Sequence, residues 1–336
     1  MFIQWLREKK GMEVKGEIRP PDSLDRLGEE RGAEGRVALL YADGNNVGQL
    51  MHQAPSPATY AHISGALSEA IKTALFETLW IVFGRERLKG SLPFEIIALG
   101  GDDVVIFVPA NKGWKVATLL LEHFERNEKI RKLEKELRER VNLEDRITMS
   151  AGLVIADVKY PVRFMFSLAE GLLREAKRKA RETDSSTLCH FWLRSPVISE
   201  DANTLLRTLK VKQDTYITAR PYTLEHANQL ENATEALSRI LPSRSQRRSL
   251  AQALEAGVDV SLNYALYQIA RSMKKGRENF DLIQRVFTQI GRLGCCSSPL
   301  WFWCQTNENH RVVWRTALLD ALELLELNAI PEEGSG

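Results

Sequence analysis

Short apolar runs alternate with longer amphipathic stretches over the first 195 residues of the chain. The short runs are rich in β-branched residues and are bounded by turn residues, which is typical of buried strands. The longer stretches repeat apolar residues every three or four positions, which predicts helices. Strands are predicted at 37–42, 94–99, 104–108, 147–155 and 188–193, and helices at 60–83, 113–141 and 161–181. This order, β-α-β-β-α-β with a further α-β, predicts an α+β fold with a ferredoxin-like core.

Helical spacing dominates the chain after residue 195, where the strand pattern fades. Pro221 biases Arg220 toward extended backbone, so 214–222 is predicted to be an extended connector. Thr223 is a typical N-cap for the helix that follows it. Further helices are predicted at 249–256, 262–273, 279–291 and 312–327, which completes a bundle of about five. We therefore divide the chain into an N-terminal extension (1–35), an α+β domain (36–195), a connector (196–222) and a helical domain (223–330).

The tetrapeptide Gly100-Gly101-Asp102-Asp103 separates two of the predicted strands. Its glycines allow the positive-φ backbone of a tight turn, so both carboxylates are expected at the tip of a hairpin. Adjacent carboxylates repel each other, which favours protonation of at least one of them. A divalent cation removes that penalty, and hard cations such as Mg²⁺ and Mn²⁺ prefer oxygen ligands. An ordinary solvated turn can carry the same four residues, so the tetrapeptide alone does not decide between the two interpretations.

A third carboxylate, Asp43, ends the predicted strand 37–42. The Gly44–Gly48 segment that follows is a glycine-containing loop before a helical pattern, and such loops offer backbone N–H groups to phosphates. Taken alone, Asp43 would be an ordinary helix cap. An acid at one strand end, beside a hairpin carrying two more, is how palm-type nucleotidyltransferases hold two metal ions about 3.5–4 Å apart. Together with the order of elements, this arrangement favours a metal site.

Composition narrows the class of protein. The chain has 336 residues, is 44% hydrophobic and carries a net charge of +2. These values fit two globular domains and argue against wholesale coating of nucleic acid. No run of about eighteen apolar residues is present, so we expect no membrane span. The N-terminus is charged too early for a signal peptide, so we expect a cytoplasmic protein.

Four segments carry a resemblance to a known family: YADGNNVGQLM, IIALGGDDVVIFVPA, SAGLVIADVKYPV and LAEGLLREAKRKA. Over residues 36–195 the chain resembles the cyclase palm of the large polymerase/cyclase subunit of type III CRISPR effector complexes. More distantly it resembles GGDEF-type diguanylate cyclases. The resemblance implies a metal-dependent nucleotidyltransferase that converts ATP into cyclic oligoadenylates in antiviral defence. It also implies a helical C-terminal domain that docks onto neighbouring subunits.

The resemblance implies roles for individual residues. Asp43, Asp102 and Asp103, with the Gly44 carbonyl, would bind two Mg²⁺ or Mn²⁺ ions. Lys177 would reach the triphosphate of the nucleotide. The remaining nucleotide-binding positions lie in the loop and the turn: Gly44, Asn45, Asn46, Val47, Gly48, Gly100 and Gly101. Arg178 and Arg181, on the same helix as Lys177, are assigned to a solvated face.

The chain departs from the family pattern in two respects. Asn45 stands where many relatives have an acid. Only about 35 residues precede the first predicted strand, too few for the nuclease domain and second palm of the family subunit. We therefore expect a shortened relative or an excised cyclase half.

Partners and alternatives follow from the same resemblance. The expected substrates are ATP or other nucleoside triphosphates. The expected partners are a second copy in a palm-to-palm homodimer, or CRISPR effector subunits that bring guide or target RNA. Two alternative enzymes are a stand-alone defence cyclase making a cyclic dinucleotide and a diguanylate cyclase, the latter disfavoured because it carries glutamate where Asp103 stands. The last alternative is a non-catalytic scaffold subunit.

Overall fold

The chain forms two compact units, Met1–Ala202 and Asn203–Gly336. The computed structural model describes residues 1–11, 18–52, 54–84, 90–141, 146–194, 199–212, 214–273, 277–294, 298–308 and 310–329. Within these ranges, no helix combines the length and the apolar composition needed to cross a bilayer.

The first unit is built on a mixed sheet. Its strands are β1 (Arg36–Gly44), β2 (Glu95–Gly100), β3 (Asp103–Pro109), β4 (Met149–Asp157) and β5 (Thr187–Trp192). Its helices are α1 (Phe2–Lys10), α2 (Leu24–Gly28), α3 (Val47–His52), α4 (Pro57–Phe83), α5 (Ala110–Arg126), α6 (Glu128–Val141) and α7 (Val162–Thr183). Within this unit the strands lie in the order β2-β3-β1-β4-β5. The first four pair antiparallel and β5 joins β4 in parallel. The predicted α+β, ferredoxin-like core with an added α-β is confirmed.

Helices cover both faces of this sheet, because alternate residues of β5 contact helices on opposite sides. Thr187 donates a hydrogen bond of 2.7 Å to the Ala176 carbonyl oxygen of α7. His190 points to the other face and packs edge-on against Trp114 of α5, with ring centroids 4.9 Å apart. Strand β4 is accordingly buried at every residue before Asp157. A continuous apolar run is what a strand covered on both faces requires.

The predicted single helix 113–141 is wrong, because the chain leaves helical geometry at Asn127. This residue lies between α5 and α6 with φ −63° and ψ 127°, which is extended backbone. Its side-chain Oδ1 accepts a hydrogen bond of 2.9 Å from the Lys129 backbone N–H. Asn127 thereby caps the start of α6. The apolar spacing continues across the break, so periodicity alone could not reveal it.

The N-terminal residues pack against the long helix α4. The Phe2 ring lies 5.3 Å from the ring of Phe76 and 5.3 Å from the ring of Phe94, both edge-on. Trp5 also meets Phe76, at 5.7 Å. Phe2, Phe76 and Phe94 are almost fully buried. This aromatic cluster fixes α1 on the first unit, since edge-to-face aromatic pairs add to the burial of apolar area.

The second unit combines helices with a small sheet. Its helices are α8 (Ala202–Arg207, which begins at the unit boundary), α9 (Leu224–Ile240), α10 (Arg244–Glu255), α11 (Val258–Met273), α12 (Arg277–Arg292) and α13 (Leu318–Leu327). Its strands are β6 (Lys210–Lys212), β7 (Thr215–Tyr216), β8 (Tyr222–Thr223), β9 (Cys304–Glu308) and β10 (Arg311–Arg315), with a sheet order of β6-β7-β10-β9. The predicted helix 312–327 is therefore wrong over its first turn, where β10 pairs antiparallel with β9.

A buried polar cluster joins α13 to the 218–222 segment of the same unit. The Asp320 carboxylate is fully buried and accepts hydrogen bonds from Arg220 Nε at 2.9 Å and from Thr218 Oγ1 at 3.0 Å. The Tyr222 hydroxyl donates to the same carboxylate. Arg220 also pairs with Glu323, one turn further along α13. Buried charges are tolerated only when they are paired and hydrogen-bonded, as they are here.

Candidate active site

Strand β1 places Asp43 at the centre of the sheet edge. Asp43 is directly opposite Asp103 of β3 on one side and Ser150 of β4 on the other. Side chains of directly opposed residues in an antiparallel pair project from the same face of the sheet. The two carboxylates therefore meet on one face. This is the juxtaposition that the sequence pattern predicts for Asp43 and the hairpin.

The third carboxylate, Asp102, lies in the turn of the β2–β3 hairpin. Gly100 pairs with Asp103, which leaves Gly101 and Asp102 as the two turn residues. Gly101 has φ +62° and Asp102 does not have positive φ. Positive φ at the first turn position alone is the pattern of a type II′ turn, which favours glycine there. The turn thus holds Asp102 beside the end of β1.

Gly44 allows Asp102 to approach the backbone of β1. The Gly44 backbone N–H donates to the Asp102 carbonyl oxygen at 3.3 Å. A Cβ atom added at Gly44 would lie 2.5 Å from Val47 Cγ2 and 3.3 Å from Asp102 Cβ. A side chain here would therefore push the turn away from Asp43. Glycine therefore lets the turn and Val47 pack closely at this position.

The clustered carboxylates alter each other's protonation. Burial, and after it the negative charge of Asp43, raises the pKa of Asp103 to about 6. Burial and Asp43 also raise the pKa of Asp102. The pKa of the nearby Tyr41 hydroxyl is raised by burial first and then by the charges of Asp103 and Asp43. Lys177 lowers the pKa of Asp102 and Asp103, but its positive charge is too weak to offset burial and the charge of Asp43.

A divalent cation fits this cluster. Asp103 Oδ1 is buried and has no hydrogen-bond partner among the residues that the structure describes. Buried carboxylate oxygens are normally paired. Carboxylate oxygens are the donors that Mg²⁺ and Mn²⁺ prefer. The residues that would hold the cation are Asp43, Asp102 and Asp103. We also propose the Gly44 carbonyl oxygen as a ligand.

Lys177 lies at the acidic cluster. It is on α7, and its Nζ is 2.6 Å from Asp43 Oδ1. The Lys177 side chain is 29% exposed, so the ammonium group is reachable from solvent. It offsets part of the negative charge, and it lies within reach of a phosphate bound next to Asp43.

A cavity of about 310 Å³ opens beside the cluster. Asp43, Asp102 and Lys177 line it together with the loop from Gly44 to Gln49. Gly100, Gly101 and Asp103 are not among the lining residues. Arg181, which the sequence analysis assigns to a solvated face, is exposed and also lines this cavity. Its position could have been inferred from its spacing of four residues after Lys177, which places both on one side of a helix.

Asn45 is held in a buried hydrogen-bond network. Its Nδ2 donates to Thr148 Oγ1 at 2.8 Å, and its Oδ1 accepts from Ser150 Oγ at 2.7 Å. Ser150 Oγ also lies 2.8 Å from Thr187 Oγ1. The amide therefore links the end of β1 to β4 and β5. The neutral amide uses both its donor and its acceptor in this network.

The raised pKa of Asp103 predicts how stability depends on pH in the metal-free protein. An ordinary aspartate in the unfolded chain has a pKa of about 3.9, below the value of about 6 in the folded state. Between these values the folded protein binds more protons, so the contribution of Asp103 to stability falls as pH rises through that window. We expect Asp103→Asn to unfold at a higher temperature than the wild type above pH 6, and this advantage to shrink toward pH 4.

The measurement is a series of thermal unfolding curves with a metal chelator present. Asp157→Asn is the control, because it removes an exposed carboxylate at the far end of the same sheet. It shows what the loss of an exposed carboxylate far from the cluster does over the same pH range. A constant difference between Asp103→Asn and the wild type from pH 4 to pH 8 would contradict the prediction.

Comparison with protein families gives a match within the first unit. The family model described as "Cas10/Cmr2, second palm domain" matches residues 36–186. This segment is similar to a Cas10-type palm. The family resemblance predicted from the sequence is confirmed for these residues. No curated protein matches the chain.

Solved structures extend the likeness to the fold of most of the chain. A chain of the Csm1–Csm4 cassette in complex with pppApA is 14% identical, with a TM-score of 0.52. Similar matches come from that cassette in complex with AMPPNP and with cA3, each at 13% identity and a TM-score of 0.51. The matches cover 90–91% of this chain and 38% of the cassette chain. At this identity the likeness shows the fold alone.

Proposed function

We propose that the Cas10-type palm is a metal-dependent nucleotidyltransferase that joins ATP into cyclic oligoadenylates within a type III CRISPR effector. The observation that carries the proposal is the direct pairing of Asp43 with Asp103, with Lys177 2.6 Å from Asp43 at the mouth of a cavity. The ligands in the titles of the cassette structures, pppApA, AMPPNP and cA3, support adenine nucleotides as the substrate class.

The residues of the site have different roles in the proposed reaction. Asp43, Asp102 and Asp103 would hold the cations, which would activate the attacking 3′-hydroxyl and neutralise the leaving pyrophosphate. Lys177 exchanges its contact with Asp43 for the phosphates of the bound nucleotide. Gly44 keeps the loop close enough for its backbone N–H groups to face the same phosphates. Positioning and charge neutralisation are the main contributions of a protein to phosphoryl transfer.

The acceptor nucleotide requires a second surface. We propose that a second palm supplies it, either from another copy of this chain in a symmetric dimer or from a CRISPR effector subunit. A chain that spans 38% of the cassette chain is compatible with either source.

The test is to incubate the pure protein with each nucleoside triphosphate and Mg²⁺ or Mn²⁺, and to identify the products by mass spectrometry. Cyclic oligoadenylates from ATP support the proposal. A cyclic dinucleotide would assign the chain to a stand-alone cyclase instead. Absence of any product, also with added effector subunits and target RNA, would assign it to a scaffold role. Repeating the assay at several protein concentrations shows whether activity depends on association.

Replacing Lys177 by alanine is expected to weaken the use of triphosphate. A charge-assisted hydrogen bond contributes about 1.5–3 kcal/mol, so we expect KM for ATP to rise about 10- to 100-fold. The measurement is initial rate against ATP concentration at saturating Mg²⁺. Lys179→Ala is the control, because Lys179 is on the same helix and pairs with Glu182 at 3.4 Å. Equal KM values for the two variants would remove Lys177 from the triphosphate site.

A further inference from the structure

Helix α12 in the second unit has two contrasting faces. Ile283, Val286, Phe287 and Ile290 are buried and recur at helical spacing. The opposite face is polar, and its exposed residues are Asp281, Gln284, Arg285, Gln289 and Arg292. An exposed polar helix face is usually convex and simply hydrated. A function is indicated only where such a face forms part of a concave surface.

The polar face of α12 does form part of a groove. A depression of about 970 Å³ lies against α9, which contributes Gln229. Every described residue that lines it has a polar or charged side chain; on α12 these include Thr288 between the two arginines. Arg285 and Arg292 are seven residues apart, so their Cα atoms are separated by about 10.5 Å along the helix.

The two arginines of this groove differ from other exposed helical arginines of the chain. Arg126, Arg174 and Arg239 each pair with a glutamate four residues earlier. Arg285 has Asp281 at the same spacing, yet its Nε donates to the Asp281 backbone carbonyl oxygen at 3.3 Å. Among the residues that the structure describes, no carboxylate lies within ion-pair distance of Arg285 or Arg292. Asp281 also lines the groove, but its carboxylate is not within ion-pair distance of either arginine, so the described lining has a net positive charge.

We propose that this groove, lined by Gln229 of α9 and by Asp281, Gln284, Arg285, Thr288, Gln289 and Arg292 of α12, binds the phosphodiester backbone of a polynucleotide through its two arginines. Arginine, glutamine and threonine side chains are typical phosphate and sugar contacts in nucleic-acid complexes. Protein interfaces instead have an apolar, often aromatic, centre, and the described lining of this groove has none. The described lining also has no aromatic side chain on which a base could stack. Contacts to the sugar-phosphate backbone should therefore dominate, and such contacts carry no sequence information directly.

The test is fluorescence anisotropy of the full chain with labelled single-stranded RNA and DNA of mixed sequence, without nucleotide or metal. Contacts to phosphate alone give dissociation constants of about 10⁻⁴–10⁻⁶ M that rise with salt. For Arg285→Ala/Arg292→Ala we expect at least about a tenfold loss of affinity. The slope of log K against log salt should become shallower by about 1.4 in this variant, because two phosphate contacts are lost and each contributes about 0.7 for single strands. Arg285→Lys/Arg292→Lys should keep most of the affinity, because lysine also binds phosphate.

The control is Arg26→Ala/Arg126→Ala, which removes two exposed positive charges from the first unit. It should change affinity much less than the groove variant. Thermal unfolding of each variant checks that the fold is intact. Tighter binding of RNA than of DNA would show that the groove binds RNA. Equal affinity for the two would show that it binds either polynucleotide. Equal losses in the groove and control variants, or no binding of any polynucleotide by the wild type, would overturn the proposal. Binding of a purified effector subunit that is lost in the groove variant, without polynucleotide binding, would assign the groove to a protein.

Discussion

Replacing Asp102 and Asp103 together by asparagine is expected to abolish nucleotide polymerisation while the palm stays folded. The double variant keeps the shape of the turn but removes two of the anionic ligands that the cations require. Stability of the metal-free protein should be unchanged or higher, because the carboxylates that repel Asp43 are gone. The measurements are product formation from ATP by mass spectrometry and thermal unfolding with a chelator present.

A matched substitution separates the site from general charge effects. Asp157→Asn removes an exposed carboxylate at the far end of β4, away from the cavity. This control variant should retain activity. Wild-type turnover in the Asp102→Asn/Asp103→Asn variant would refute the metal assignment. Unfolding of that variant at a much lower temperature would instead show that the turn carboxylates are structural.

Asp320→Ala is expected to cause a large loss of stability. It leaves the buried Arg220 guanidinium without its main partner and deprives Thr218 and Tyr222 of an acceptor. Breaking a buried ion pair by removing one partner typically costs about 3–5 kcal/mol. Urea unfolding of the wild type and the variant, followed by circular dichroism, measures the change in the free energy of unfolding.

Glu326→Ala is the control for this prediction. Glu326 lies on the same helix as Asp320 but is exposed, so its removal should change the free energy of unfolding by about 0.5 kcal/mol or less. A similar small change for Asp320→Ala would contradict the structural role of the cluster. Loss of nucleotide polymerisation in the folded Asp320→Ala protein would show that the cluster affects the palm as well.

The fold of the palm could be predicted from sequence because each of its strands is a distinct apolar run. Asp43 marks the end of the apolar run of β1, and the Gly101 turn marks the start of β3. The pattern therefore predicts where these strands end and that Asp43 lies near Asp103. The hydrogen bonds of Asn45 could not be predicted, because they depend on contacts more than 100 residues away. The one sign of these hydrogen bonds in the sequence is that Thr148 and Ser150 are polar residues in an otherwise apolar predicted strand.

The second unit was harder to predict because its strands are short and mostly polar. β9 has no alternation of apolar residues. Val312, Val313 and Trp314 join the apolar spacing of α13 across Thr316, so the pattern favours one long helix. The pairing of β10 with β9 and β7 overrides that preference. Such tertiary contacts are not visible in a local window of sequence.

The position of β1 between β3 and β4 determines how the parts of the site move. Freeing the backbone at Asp43 requires breaking two hydrogen-bonded ladders, so amide exchange there should proceed only through near-global opening. Asp102 is at a hairpin tip, and β2 is the last strand in the order of the described sheet. Local fraying of that hairpin can shift Asp102 without disturbing Asp43. The site therefore combines one carboxylate on a slowly exchanging strand with another that adjusts on a faster timescale.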